Sequence, residues 1–443
     1  MNQNVHAEGF SYARLSYSEI FLALALVSFY LEGSIRKWVL LPNSMWMEPV
    51  ALSKAGFVFI AVLLTSRIDH GTDLDRFRKW IIGIPLLLIL LGSVISASTA
   101  YHTVGSILTV FILTAIPYIS TWVPRSLTAN GIRLCLFCCS FLMVGMLPLV
   151  IIQYTSDRFD VINCYVGGVN EFVATTGFND RVRATGTFSY ISGLSVGSLL
   201  GEAAGIYLYL YSRTTKGRLW ATVTIISSVI CGFATVSRGT MIALSAIFMG
   251  WAILAKGSRP KVIVSSFFII FMALAYFNVG GVQQILVAVF ERSKTVDDTY
   301  TDRIVGLFAE LLNQLDKNPL GGGLGTTQNV AGGFYSAGVE TEFGRLVFEV
   351  GAIGFLGYLF TYWGAVYWLF VSSLRVSNLL SRSISICCCV TCALLLVVGV
   401  IFNHVALSAF WATFSAGAFL LDNPAFARSL PQRFLGRTQS LVE

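Results

Sequence analysis

The chain has 443 residues, of which 55% are hydrophobic and only 12% charged, with 30 Lys and Arg against 23 Asp and Glu. A soluble domain carries roughly a quarter of its residues as charges. A chain with half that share and a mean hydropathy of +0.73 does not cover a water-facing surface. Soluble enzyme, nucleic-acid binder and disordered scaffold are therefore excluded, and the composition reads as a polytopic membrane protein.

A membrane span takes about 20 predominantly apolar residues. Windows of that kind fall at 17–31, 48–66, 81–100, 103–123, 134–154, 188–211, 219–236, 240–255, 262–280, 346–371, 384–402 and 405–421. They predict a single all-α domain over 1–443 with about twelve transmembrane helices. The first window is not a cleavable signal: its flank is polar, and Glu32-Gly33-Ser34-Ile35-Arg36-Lys37-Trp38 follows in place of a small-residue cleavage site. With the N-terminus in the cytoplasm, 18 Lys and Arg fall on the inner side and 11 on the outer, with Lys54 inside a span. Every short inner loop between spans then carries at least two positives, so both termini are expected inside. Eight of the nine cysteines lie in apolar runs, where thiols pack as small hydrophobes. The Cys387-Cys388-Cys389 run has no His or carboxylate beside it, and no metal is expected.

Two outer loops are long, 155–187 and 281–342, which places recognition or chemistry outside. In the second, Ile304, Leu307, Phe308, Leu311, Leu312 and Leu315 form one helical stripe that starts near Thr301-Asp302 and ends before Pro319. Such a helix either lids the bundle or covers a lipid-linked substrate at the membrane surface. Asn318-Pro319-Leu320-Gly321-Gly322-Gly323-Leu324-Gly325 follows. Glycines at that density make either a turn or an amide nest for an anion. On the helix that re-enters the membrane, Glu342, Arg345 and Glu349 share a face, as a self-neutralised ion cluster or as a site facing a cavity.

Arg238, beside Gly239, sits where span seven turns into span eight. Its guanidinium either snorkels to headgroups or makes paired contacts to phosphate oxygens. Arg181 and Arg183 lead into span six with the same two readings. Glu202 and Lys54 lie deeper and are expected to pair with each other across the bundle.

Taken in order, Arg183-Ala184-Thr185-Gly186-Thr187-Phe188, Ser237-Arg238-Gly239, Asp302-Arg303, Asn318-Pro319-Leu320-Gly321 with Gly323 and Gly325, and Glu342 through Gly351 resemble the bacterial O-antigen polymerase and O-antigen ligase superfamily of integral membrane glycosyltransferases. Glu32 to Trp38 also looks like a motif of some members. The resemblance covers about 181–360 and the hydropathy outline of the chain. It implies an undecaprenyl-diphosphate-linked oligosaccharide as substrate and an inverting glycosyl transfer on the periplasmic face of the inner membrane. Membrane lipids, a chain-length regulator and a flippase would be its partners, and it would need neither nucleotide nor metal. Arg183, Arg238 and Arg303 would meet the diphosphate, with Arg345 as a further arginine near the reacting bond. Glu342 would take the acceptor proton in preference to Glu349 or Glu340. Arg181, Gly321, Gly323, Gly325 and Glu349 would serve the loops and the glycan.

Ligases of this kind are associated with a His in the large outer loop, and 281–342 has none. That favours a polymerase over a ligase transferring finished glycan to lipid A core or protein. The repeated Arg-x10-Gly motifs of some polymerases are absent too, since nine residues separate Arg183 from Gly193. A transporter or lipid flippase is the reading from another class, and the two halves show neither a repeat nor matched broken helices for it.

Overall fold

The computed structural model describes residues 15–40, 46–65, 77, 82–97, 110–163, 182–189, 191–212, 214–254, 309–324, 342–376, 379–398 and 404–422; at some helical positions, including Arg238, Glu342 and Arg345, it describes the backbone alone. Among these residues the chain is all-helical, with no strand.

Helix α1 (Tyr17–Ser34) begins with a reciprocal cap: Ser16 Oγ accepts from Glu19 N at 3.3 Å and Glu19 Oε2 accepts from Ser16 N at 2.8 Å. Buried Glu19 also accepts from Gly131 N at 3.1 Å, tying the start of α1 to the start of α6. Helices α2 (Met47–Leu63) and α3 (Ile84–Ala97) follow. The window at 103–123 is interrupted: a π-helical turn (Phe111–Ala115) leads into the short helices α4 (Ile116–Ser120) and α5 (Val123–Ser126). Pro117 and Pro124 stand near the starts of these short helices, where their missing N–H groups cost least.

Helix α6 (Ala129–Thr155) precedes α7 (Ile191–Tyr211), α8 (Thr215–Ala234) and α9 (Arg238–Leu254). Residues 309–317 form α10. Helices α11 (Glu342–Arg375), α12 (Leu379–Val398) and α13 (His404–Asp422) complete the chain.

Helix α7 sits centrally, against α6, α8, α9, α12 and α13. Small residues let backbones approach where helices cross. A Cβ on Gly92 of α3 would lie 2.2 Å from Val350 O of α11, and one on Gly357 would lie 2.5 Å from Pro85 O.

Leu87, Val94, Phe137, Phe141, Phe360 and Tyr367 point outward, each more than half exposed. An apolar outer surface of this kind suits lipid and not water. By length and composition, five helices are able to cross a membrane: Tyr17–Val39, Asn130–Thr155, Ile191–Leu210, Thr215–Ala234 and Leu346–Arg375. Leu52–Leu63, Ile84–Ser96, Gly239–Trp251, Ser381–Leu396 and Ala409–Leu421 are shorter apolar helices. Each lies within or beside a window read from hydropathy; the window at 262–280 is outside the described residues.

Candidate functional site

Three motifs far apart in sequence meet where α1, α6 and α8 end and α7 and α9 begin. The first belongs to α1, which does not stop at Ser34 but widens into a π-helical turn, Ile35–Val39, carrying Arg36 and Lys37. The second is the segment 182–189. Lys37 Nζ donates to Thr185 Oγ1 at 2.6 Å, Arg36 Nη1 reaches Ser189 Oγ at 3.4 Å, and Ser34 Oγ donates to the Thr187 carbonyl at 3.4 Å. The Thr187 hydroxyl returns a hydrogen bond to the Tyr30 carbonyl. This contact requires Gly33, because a Cβ there would lie 2.3 Å from Ser189 N.

Gln153, fully buried near the end of α6, clamps the same segment. Its Oε1 accepts from Thr185 N at 3.2 Å and Gly186 N at 2.7 Å, while its Nε2 donates to Ile162 O at 2.8 Å and Gly186 O at 3.2 Å. Gly186 adopts φ +57°, and a Cβ there would meet Met146 Sδ at 2.6 Å. Phe188 then plugs into the bundle, its ring 5.5 Å from Phe29 at 74° and 5.6 Å from Tyr30.

The third motif is the turn between α8 and α9. Arg183 Nε donates to Thr235 O at 2.9 Å, and Ala184 N donates to Ala234 O at 3.1 Å. Between Thr235 and Ser237, Val236 takes φ +50°, a left-handed conformation that costs a β-branched residue of the order of 1–3 kcal/mol. The turn is held by Val236 N to Phe233 O at 2.9 Å and Ser237 N to Thr235 Oγ1 at 3.2 Å. Ser237 O accepts from Met241 N at 3.2 Å, so Arg238 opens α9. Segments bearing Arg36, Lys37, Arg183 and Arg238 are thus joined at the N-terminal end of a helix, where positive side chains and the helix dipole both favour an anion.

A second group forms where 318–324 docks on α11. The helix breaks at Gly351, which has φ +68° and ψ −179°. In an unbroken helix Ala352 N would donate to Phe348 O. Instead Ala352 N donates to Pro319 O at 2.9 Å, and Phe348 O accepts from Gly322 N at 2.8 Å. The loop is spliced into the helical ladder and satisfies both groups. Its glycines are sterically required: a Cβ on Gly321 (φ +94°) would lie 2.5 Å from Ser96 Oγ, and one on Gly322 would lie 2.3 Å from the Phe348 ring. Gly321 N is bonded to Asn318 O at 3.0 Å, so two amides of the glycine run serve the backbone.

The residues selected from sequence thus fall into two assemblies. Arg183 joins the turn that leads to Arg238, whereas Gly321, Gly323 and buried Glu349 belong with the splice at α11. Glu342 and Arg345 lie in the first turn of α11. Arg181, Arg303 and Gly325 lie outside the described residues. Sequence reasoning did not select Gln153 or assign a role to Lys37. A lone amide near the C-terminal end of an otherwise apolar window was the available signal for the former.

One expectation is overturned. Lys54 pairs with Glu32, not Glu202: Nζ to Oε2 is 2.7 Å, with both side chains buried. Helices α1 and α2 pack side by side, with Phe21 against Phe57 and Ser28 against Ser53, which brings these two charges together. Glu202, on α7, is fully buried, and neither carboxyl oxygen has a hydrogen-bond partner among the described residues.

No protein-family model matches the sequence, and no curated protein matches it significantly.

Proposed function

We propose that the protein is a polymerase of undecaprenyl-diphosphate-linked oligosaccharide repeat units, of the O-antigen or exopolysaccharide kind. It would act on the periplasmic face of a bacterial inner membrane, with about twelve spans and both termini in the cytoplasm. The observation that carries this reading is the joining of Arg183 to the Arg36–Lys37 turn on one side, through Thr185, and to the turn before Arg238 on the other.

An acceptor hydroxyl attacks the anomeric carbon from the face opposite the diphosphate. The new glycosidic C–O bond forms as the bond to the diphosphate oxygen breaks, and the configuration inverts. The hydroxyl proton passes to a carboxylate, for which Glu342 is our assignment. Negative charge grows on the departing lipid diphosphate, and Arg183, already held in place, stabilises it more in the transition state than in the ground state. The sugar–diphosphate bond supplies the driving force, so the reaction as written calls for no nucleotide or metal.

Deleting the gene is expected to leave single-repeat glycan and abolish the long-chain ladder. An unchanged ladder contradicts the reading. Long chains accumulating on undecaprenol would instead indicate a ligase that moves finished glycan to another acceptor.

A further inference from the structure

A cavity of about 170 Å³ lies inside the bundle, walled by α1, α2, α6, α7 and α13, with α4 and α5 on one side. Alanines open it: Ala25, Ala55, Ala204, Ala409, Ala412 and Ala416 all line it. Two of its polar lining side chains are engaged elsewhere. Lys54 is bonded to Glu32 at 2.7 Å, and Ser415 Oγ donates to Ser120 O at 3.1 Å. A space walled mostly by apolar side chains suits an apolar guest. Between helices that cross a membrane, the apolar guest at hand is a lipid chain.

The cavity is connected to the cationic end of the bundle through α1. Phe29 is the α1 lining residue nearest that end, and its ring packs against Phe188 at 5.5 Å. Phe188 belongs to the segment that Lys37 and Arg183 hold. From Phe29 to Lys37 the helix rises by only ~12 Å. A lipid whose diphosphate lay at Lys37 and Arg183 would thus have these alanines within the reach of its chain, beyond the Phe29 and Phe188 rings.

We propose that this cavity receives part of the isoprenoid chain of the lipid-diphosphate donor, which makes it a chain-recognition subsite. The inference rests on the polymerase reading and names the part of the donor that the reading leaves unassigned.

The test compares oligosaccharide donors built on undecaprenyl diphosphate and on farnesyl diphosphate, using the full-length protein in nanodiscs. For the wild type, kcat/KM is expected to be at least ~10-fold higher for the longer chain, since each buried methylene adds to binding. Filling the cavity with Ala412→Phe, or more gently with Ala55→Leu, is expected to reduce that long-to-short ratio toward one. Thermal unfolding of each variant identifies any that fails to fold, and the other then supplies the ratio.

Equal use of both donors by the wild type, or a ratio unchanged in a folded filled variant, overturns the inference while leaving the polymerase reading intact. If the space belongs to bulk phospholipid, Ala412→Phe strips a phospholipid from native mass spectra with no change in the ratio, which also overturns it. Transfer from neither donor overturns the polymerase reading itself.

Discussion

Arg183 is fixed before any ligand arrives. Its Nε–H is bonded to the Thr235 carbonyl, which sets the plane of the guanidinium, and a preset cation needs no reorganisation when charge develops. Replacing Arg183 by Ala is expected to lower kcat for glycan transfer by ~10²–10³-fold, the loss typical of one stabilising donor. Lysine keeps the charge but loses both the fork and the bond to Thr235, so Arg183→Lys is expected to resemble the Ala variant. Arg238→Lys is likewise expected to be nearly as damaging as Arg238→Ala if Arg238 grips two phosphate oxygens. Near-normal polymer from either Lys variant would mark that side chain as a simple headgroup contact.

The same scale holds the Lys54–Glu32 pair. Breaking a buried pair leaves a charge uncompensated and costs about 3–5 kcal/mol, whereas replacing both partners by apolar residues is near neutral. Lys54→Met alone is therefore expected to lower the unfolding temperature sharply, and Lys54→Met with Glu32→Leu to restore most of it. Pairing Lys54 with Glu202 instead would leave the double variant as unstable as the single. The sequence shows that Lys54 and Glu202 are deep; which carboxylate is the partner depends on which helices are neighbours, and hydropathy contains no such information.

At the scale of the element, α11 is two helices joined through a third segment. Hydropathy reads the span beginning near 346 correctly but is blind to the break at Gly351, because the glycine is followed by an unbroken apolar run. The break becomes intelligible only when Pro319 and Gly322 are seen to take over the hydrogen bonds of Ala352 and Phe348. Alanine at 351 would have to adopt φ +68° with its Cβ 2.7 Å from Leu320 C. Gly351→Ala is expected to cost about 1–3 kcal/mol and to release 318–324, read as faster proteolysis of that loop. Unchanged cleavage and unfolding temperature would contradict the splice.

The amphipathic stripe of the second long loop is partly rotated from expectation. Leu311 and Leu315 pack on the core with Gln314 buried between them, while Leu312 is 64% exposed. The reason is visible in Gln314, whose Oε1 accepts from Asn318 Nδ2 at 3.0 Å. A satisfied amide is tolerated inside, so a periodicity built on apolar residues alone misplaces the face by part of a turn.

For the whole molecule, the described helices match the apolar windows closely, because a span is a long, strong and nearly context-free signal. The exception is 103–123, where a π-helical turn gives way to two short helices, each with a proline near its start. The candidate site was legible one fragment at a time. Arg183, Arg238 and the Gly33–Lys37 stretch each stand out as charges or glycines beside a span. Their meeting is a consequence of Gln153, Thr185 and Thr235, polar residues whose importance lies in contacts that span more than 30 positions of sequence. The joining of these cation-bearing segments at one end of an apolar-surfaced bundle is the basis of the proposed chemistry.

That chemistry is tested most directly by incubating the purified protein in nanodiscs with a defined undecaprenyl-diphosphate oligosaccharide and resolving the lipid-linked products by mass. Products lengthened by whole repeat units and still on the lipid, released undecaprenyl diphosphate in matching amounts, and the loss of both in Arg238→Ala are the expected result. Donor that stays unconsumed in folded protein, or is moved without any new glycosidic bond, would contradict the account.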